Sequence, residues 1–353
     1  MTAARRPVVS IVVTVMRDVA RLRRCLDAIA AAATGIEHEL VLALSGADDE
    51  VLAFAREGDH GARVVGSRVN LGFAGALNLG RRHALGRYLA IVQDDARVGE
   101  GWPSGLLKAL EAHPGAGLAG ARVVSSERAV DFCGALLDAG LEPLLVPGGA
   151  VSGPVAVDYC SSAAVVVRAE AWDAAGGADE ELFPAGCVDI DLAMRMRRAG
   201  WDVIAVPDVI VDHPTGASSG HGWRLWTARR NRDRCLEIWA DELAGHEQPG
   251  ASEGRPDRGL ARAATRSAAL AARRKSEAAP EAPDEEAQAE RASRRELALL
   301  RDYVAFADAE LEAARAEART TAHRLDALHE EAARGARAFE KRIRALERSW
   351  RSD

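Results

Sequence analysis

Acidic residues and one histidine stand where short apolar runs end or helical patterns begin. Asp94 and Asp95 directly follow the run YLAIVQ, Asp189 and Asp191 lie in VDIDLAMR, and His213 closes VIVDH. Carboxylate oxygens and a neutral imidazole are ligands for divalent cations. A positioned carboxylate can also take a proton from a hydroxyl. The pattern indicates a site that combines a bound cation with general base catalysis.

Each motif also has a purely structural interpretation. Aspartate is a favoured turn residue, so Asp94 and Asp95 could cap the segment that follows a strand. Asp189 and Asp191 could be helix N-terminal residues, stabilised by the helix dipole and by free backbone N–H groups. A lone histidine such as His213 is often structural. Their common position at strand exits and helix entries favours a functional role over the structural one.

Alternating strand-like and helical segments carry these residues as far as about Leu243. VVSIVVTV is a continuous apolar run that is typical of a strand covered on both faces. The helical pattern that follows it places Leu22, Leu26 and Ile29 on one face. HELVLALS, ARVVGS and RYLAIVQDD are further strand-like runs. This alternation predicts an α/β architecture with a mainly parallel sheet, in which ligands bind at the carboxyl ends of strands.

The composition changes after about Gly245. Residues 246–285 are rich in Pro, Gly, Ala and charges, which predicts a linker that is partly disordered or helical. Residues 286–350 contain no proline and form a heptad pattern with apolar positions at Leu297, Val304, Leu311, Ala318, Leu325, Ala332, Phe339 and Leu346. This periodicity predicts a coiled-coil-like helical tail. A weak homodimer, an intramolecular helical hairpin and a lone helix folded against the rest of the chain all fit it.

Charge and cysteine usage exclude several classes. The formal net charge of -7 argues against a sequence-wide nucleic-acid footprint, so no nucleic-acid partner is predicted. The five cysteines form no CxxC pair, which favours buried, reduced thiols in a cytoplasmic protein. No stretch reaches the ~18 apolar residues of a membrane span. Peripheral membrane contact stays open.

Two blocks of sequence together resemble the inverting family 2 glycosyltransferases, particularly their rhamnosyltransferase-like branch. NLGFAGALNLGRRHALGRYLAIVQDD is similar to the family's glycine-rich turn, helix, strand and DxD-type motif. The second block runs from CSSAAVVVRAEAWDAAGGADEELF to VDHP and resembles the acceptor-side run. That run has a GG-DE-F turn, an ED-DL-R-R-AG helix start and a terminal histidine. The blocks occur in the family's order within roughly residues 7 to 240.

The resemblance implies a catalytic domain over residues 1–245 with the glycosyltransferase A-type fold, a Rossmann-like sheet flanked by helices. It further implies transfer of a sugar from a nucleotide-diphosphate sugar to an acceptor hydroxyl, with Mg²⁺ or Mn²⁺ as cofactor. The acceptor would be a glycan or a lipid-linked molecule of cell-envelope or exported polysaccharide synthesis. Such enzymes work in the cytoplasm or at the inner face of the membrane.

The resemblance also assigns roles to single residues. Asp95 matches the metal-binding aspartate, and His213 matches the histidine that completes the metal site. Asp189 matches the expected base and Asp191 the next acid of that helix start, so both are expected to be catalytic. The residues expected to bind the donor are Asn70, Gly72, Gly75, Asn78 and Asp94.

Three positions depart from the family pattern. Gln93 stands at the first aspartate of the DxD-type motif, Leu44 at the acid that contacts the nucleotide base, and Val188 at the glutamate of ED. They motivate an alternative from another class, a catalytically silent scaffold or sugar-nucleotide sensor assembled through its coiled coil. A nucleotidyltransferase would also use aspartates and Mg²⁺, but it would leave the GG-DE-F and DIDL block without a role.

Overall fold

The structure is a computed structural model that describes residues 7–16, 18–58, 60–125, 130–213, 221–249, 256–271 and 285–350. By contacts the chain divides into two compact units, Met1–Glu296 and Leu297–Asp353. The first unit therefore reaches beyond the boundary at residue 245 that the sequence suggested. Parts of the predicted linker, residues 250–255 and 272–284, lie outside the described residues. The three predicted domain limits stay a prediction.

Within the described residues, one eleven-stranded sheet forms the centre of the first unit. Its strands are β1 (Val9–Val15), β2 (His38–Ser45), β3 (Arg63–Ser67), β4 (Tyr88–Gln93), β5 (Arg97–Val98), β6 (Ala116–Ser125), β7 (Val130–Leu137), β8 (Pro143–Pro147), β9 (Val155–Ala156), β10 (Ala164–Arg168) and β11 (Asp202–Asp212). The helices are α1 (Val19–Ala32), α2 (Asp49–Glu57), α3 (Gly72–His83), α4 (Ser104–Ala112), α5 (Ala169–Ala174), α6 (Val188–Arg198), α7 (His221–Leu243), α8 (Asp257–Ala271) and α9 (Glu285–Trp350).

The strand order is β3-β2-β1-β4-β10-β6-β11-β5. The predicted α/β sheet flanked by helices is confirmed, and β3, β2, β1 and β4 are parallel, as expected. The second half is mixed, because β10 runs antiparallel to both β4 and β6. Between β6 and β10 the described residues form no helix that could serve as a crossover, and the chain returns through the antiparallel strands β7 and β8.

Two apolar cores cover the faces of this sheet. In β1 every residue is buried, and successive side chains point to opposite faces. Ile11 and Val13 belong to the core under α1, α2 and α4. Val12 belongs to the core under α3, α5, α6, α7 and α8. This two-sided burial explains why the strand sequences are continuous apolar runs.

The predicted C-terminal helix is confirmed as α9. Its pairing as a coiled coil stays a prediction. In the described part of the chain, no helix combines the length and the apolar character needed to cross a bilayer.

Candidate functional site

The first acidic pair lies where β4 ends. Asp94 is 9% exposed, and its Oδ2 accepts a hydrogen bond of 2.8 Å from the backbone N–H of Met16, directly after β1. Burial raises the pKa of Asp94 to about 6; the Met16 N–H opposes the rise, and the negative charge of Asp95 adds to it. Asp94 thus ties together the carboxyl ends of two parallel strands.

Asp95 meets His213 through the pairing of a short strand. The turn after β4 leads into β5, where Val98 pairs with Val211 and Arg97 with Asp212 at the end of β11. This pairing brings Asp95 Oδ1 to within 3.1 Å of His213 Nε2, although 118 residues separate the two in sequence. The sequence placed both residues at strand ends, and the structure brings them together.

The Asp95–His213 pair fits a divalent cation. Both side chains are largely buried, and Nδ1 of His213 has no hydrogen-bond partner among the described residues. A carboxylate oxygen is a suitable ligand for Mg²⁺ or Mn²⁺, and an imidazole nitrogen suits first-row transition metals. Within the described residues, no group of three or more His, Cys, Asp or Glu side chains is arranged to hold a metal. The remaining coordination positions therefore suit water and the oxygens of a bound molecule.

Sequence reasoning missed Arg21, a cation at the edge of this pair. Its Nη1 lies 4.0 Å from Asp95 Oδ2. Asp18 caps the N-terminus of α1 by accepting from the Arg21 backbone N–H, which fixes the helix start beside the site. Nothing in the run RLRR distinguishes Arg21 from its neighbours, so the only signal was its place in the first turn after the Asp18 cap.

Asp189 lies in the first turn of α6 and is half-buried. Burial raises its pKa, whereas backbone N–H groups, among them that of Ser162, and the charge of His213 partly oppose the rise. The charge of His213 is thus one of the groups that act on Asp189. A carboxylate with a raised pKa is a stronger base than an exposed aspartate.

Asp191, the neighbouring acid, is in a different situation. It is fully buried; Oδ2 accepts from Arg195 Nε at 2.6 Å and Oδ1 accepts from Trp239 Nε1 at 3.0 Å. Burial raises its pKa, and the charge of Arg195 opposes the rise. Both carboxylate oxygens are engaged, and they join α6 to α7.

The glycine-rich turn before α3 is bound mainly to protein groups. Asn70 Oδ1 accepts from the Gly72 N–H at 3.0 Å, and Asn70 Nδ2 donates to Glu296 in α9 at 3.0 Å. Gly72 has φ +68°, and a Cβ there would lie 2.7 Å from the ring of Phe183. Glycine is therefore required at this position by backbone conformation and by the close approach of the aromatic ring.

The other two expected donor-binding residues on α3 also contact distant segments. Asn78 Nδ2 donates to Ala178 O at 2.9 Å, and its Oδ1 accepts from the Ala178 N–H at 3.0 Å. The carbonyl of Gly75 accepts from Nε2 of the buried Gln288 at 3.1 Å. These contacts fix α3 against the segment around Ala178 and the first turn of α9. Direct donor binding by these residues stays a prediction.

Comparisons with known proteins agree with this architecture. The family described as "Glycosyltransferase like family 2" matches residues 6–236. The uncharacterized protein y4gI of Sinorhizobium fredii (strain NBRC 101917 / NGR234) is 26% identical over 230 residues, which cover 61% of this chain and 25% of that protein. The chain thus spans about a quarter of the length of this curated relative.

A solved structure supports the fold. The crystal structure of GalNAc-T7 with UDP, GalNAc and Mn²⁺ aligns with a TM-score of 0.56 and 14% identity, over 69% of this chain and 50% of that chain. At this identity the likeness concerns the fold alone. With a family match that covers well over half of the residues, and with the mixed α/β sheet in place, this chain belongs to the glycosyltransferase-like family 2 and has the glycosyltransferase A-type fold.

Proposed function

We propose that this chain is a metal-dependent inverting glycosyltransferase that moves a sugar from a nucleotide-diphosphate sugar to an acceptor hydroxyl. The observation that carries the proposal is the Asp95–His213 pair at 3.1 Å, and the charge of His213 also acts on the half-buried Asp189. Family membership supports the reaction class. The geometry of Asp95 and His213 supports the choice of these two residues as metal ligands.

Asp95 and His213 are the residues that would hold Mg²⁺ or Mn²⁺. A divalent cation bound there would neutralise the diphosphate as it leaves the sugar. Arg21, 4.0 Å from Asp95, adds positive charge at the same edge. Asp94 contributes indirectly, because its bond to the Met16 N–H holds the ends of β1 and β4 in register beside the cation site.

Asp189 would act as the general base. It accepts the proton of the acceptor hydroxyl as the oxygen attacks the anomeric carbon from the face opposite the leaving diphosphate, and this direct displacement inverts the anomeric configuration. The hydroxyl must approach within about 2.6–3.2 Å of the carboxylate. We assign Asp191 a positioning role rather than a chemical one, because Arg195 and Trp239 occupy its oxygens.

The proposal extends to the molecules involved. GalNAc-T7 was solved with UDP, GalNAc and Mn²⁺, which makes uridine diphosphate sugars the first donors to test. By analogy with the family, the acceptor would be a glycan or a lipid-linked molecule of cell-envelope synthesis, and the protein would work at the inner membrane face. The heptad pattern of α9 supports a homodimer through this helix.

A second candidate is a silent scaffold or sugar-nucleotide sensor. It is favoured by Leu44 and Val188, which are 0% and 1% exposed and lie in the apolar cores. At these two positions, where the family carries acids, the chain has side chains that stabilise the core. A sensor would bind a donor without turning it over.

The test uses the full chain with a panel of uridine, guanosine and thymidine diphosphate sugars, each with Mn²⁺ or with EDTA. Ligand at 100 times its Kd stabilises the native state by about 2.7 kcal/mol, so binding raises the Tm. We expect a Tm rise that requires Mn²⁺, together with release of the nucleoside diphosphate. Binding without release would favour the sensor. If no donor binds and no nucleoside diphosphate is released, both proposed functions are contradicted.

A further inference from the structure

One face of α7 lies along the segment that delivers Asp189. Asn231, Cys235 and Trp239 follow each other at intervals of four residues, which places them on one side of a helix. All three are buried, with exposures of 0%, 0% and 1%. Together they contact the chain from Leu182 to Asp191.

Asn231 makes the most extensive of these contacts. Its Nδ2 donates to Ala185 O at 2.8 Å and to Leu182 O at 3.0 Å. Its Oδ1 accepts from Arg230 Nη1 at 2.8 Å, and Arg230 also donates to Glu181 O at 3.1 Å. A side-chain amide has two N–H donors, so both are used on carbonyls of irregular backbone.

The segment held in this way has an unusual backbone. Gly186 has φ +97° and Cys187 has φ +60°, and α6 begins immediately afterwards. A left-handed conformation at a non-glycine residue such as Cys187 is unfavourable and persists only where surrounding contacts impose it. Asp189 follows two residues later, so the direction of its carboxylate depends on this turn.

Contacts on both sides impose the turn. The thiol of Cys235 faces that of Cys187, and Trp239 holds the first turn of α6 through Asp191. On the opposite side, the Phe73 N–H donates to Pro184 O at 2.7 Å. Asn231 is the contact that fixes the carbonyls just before the left-handed pair.

We infer that Asn231 is a positioning residue for Asp189, because its amide fixes the turn from Leu182 to Cys187 from which the base projects. This inference rests on the proposed function for its catalytic consequence. Its structural part concerns the backbone of residues 182–191 alone. The two parts are therefore measured separately.

The main variant is Asn231→Ala, and the matched control is Asp233→Asn, an exposed position on the same helix. Amide hydrogen exchange of the full chain should become faster in residues 182–191 of Asn231→Ala while β1 and β4 keep their protection. Donor hydrolysis, followed as nucleoside diphosphate release with Mn²⁺, should show a kcat about 100-fold lower, since a small misplacement of a reacting group has that effect. The KM for the donor should stay within about twofold, because Asp95 and His213 are untouched. The control should match the wild type in all three readouts.

Unchanged exchange in residues 182–191 would overturn the inference, and so would faster exchange spread evenly over the sheet. An unchanged kcat in a variant with faster local exchange would also overturn it. Should Asn231→Ala fail to fold, Asn231→Ser retains one donor, and exchange in residues 182–191 should be faster than in the wild type; wild-type exchange there would overturn the inference. A wild-type chain that hydrolyses no donor would contradict the proposed function, and the exchange result would still decide whether Asn231 holds the turn.

Discussion

The two aspartate pairs of the site lie on different elements but divide in the same way. At the end of β4, Asp94 is tied to the Met16 N–H, whereas Asp95 contacts His213. In the first turn of α6, Asp191 is tied to other side chains, whereas Asp189 interacts with His213. Neighbouring carboxylates of the same type thus have different environments, and the donors around each one decide which is available for chemistry.

A third carboxylate shows that burial alone does not set this difference. Asp158 is fully buried, and burial alone would raise its pKa. A hydrogen bond from Arg262 and the charges of Arg197 and Arg266 outweigh burial, and the pKa is lowered instead. The pKa of Asp189 is raised because burial outweighs the backbone N–H groups and the charge of His213, which oppose the rise.

The largest effect is expected for Asp189→Asn. Removing a general base should lower kcat by about 10³-fold, within the ~10²–10⁴ range of such catalysis, while donor binding with Mn²⁺ stays within about twofold. Nucleoside diphosphate release and titration calorimetry measure the two quantities. Near wild-type turnover would show that Asp189 is not the base. It would also contradict the proposed difference between a chemical Asp189 and a structural Asp191.

Asp95→Asn and Asp94→Asn test the other pair. We expect Asp95→Asn to weaken Mn²⁺-dependent donor binding about 10–100-fold, because the cation loses a charged ligand. Asp94→Asn should weaken it much less, because Asp94 accepts from the Met16 N–H and asparagine keeps an oxygen that can accept this bond. Calorimetry with Mn²⁺ and with EDTA distinguishes the two. Equal losses in both variants would show that the aspartates act as one unit.

In the pair Asp189 and Asp191, we expect the free energy of unfolding to depend more on Asp191 than on Asp189. Asp191→Ala leaves the buried Trp239 N–H without an acceptor, and the free energy of unfolding should fall by about 2 kcal/mol. Asp189→Asn should not lower the free energy of unfolding at pH 7.5. Because the pKa of Asp189 is raised in the folded state, its ionisation destabilises the protein as the pH rises through that pKa. Asparagine cannot ionise and removes this penalty. Urea unfolding of both variants is the measurement. A larger loss in Asp189→Asn would contradict the assignment.

The smallest effect is expected from acidification and involves Asp158. A lowered folded pKa means that its stabilising contribution is present above the ordinary aspartate pKa and is lost as pH falls below it. Burial lowers the pKa of His246, so stability also begins to fall as pH drops through the ordinary histidine range. The Tm should decrease by about 2–4 °C for each kcal/mol lost. In Arg262→Gln, the acid-dependent part of this decrease below pH 4 should become smaller, whereas an unchanged slope would contradict the role of Arg262.

Much of the site was predictable because strand ends are local features. The apolar runs of β1, β4 and β11 indicated buried strands, and residues at the carboxyl ends of such strands meet at one edge of the sheet. Asp95 and His213 could therefore be placed near each other without knowledge of the register. The antiparallel course of β10 had no comparable signal, because a short apolar strand reads the same in either direction.

Contacts between distant segments could not be predicted. Arg262 and Arg266 of α8 reach Asp158 across 104 and 108 residues, and Gln288 reaches the Gly75 carbonyl across 213 residues. Such pairs leave no periodic pattern in the sequence. The segment that contains α8 looked like a linker because of its composition, yet Ala263 is fully buried in the core.

The contact between Asp158 and Arg262 has a consequence for how the chain is made. The ribosome adds about 5–20 residues per second, so the 104 residues between them take roughly 5–20 s to synthesise. During that interval the nascent sheet carries an acidic side chain whose arginine partners on α8 do not yet exist. Until residue 266 has left the exit tunnel, Asp158 therefore lacks the two arginines of α8 that help to lower its pKa in the folded chain.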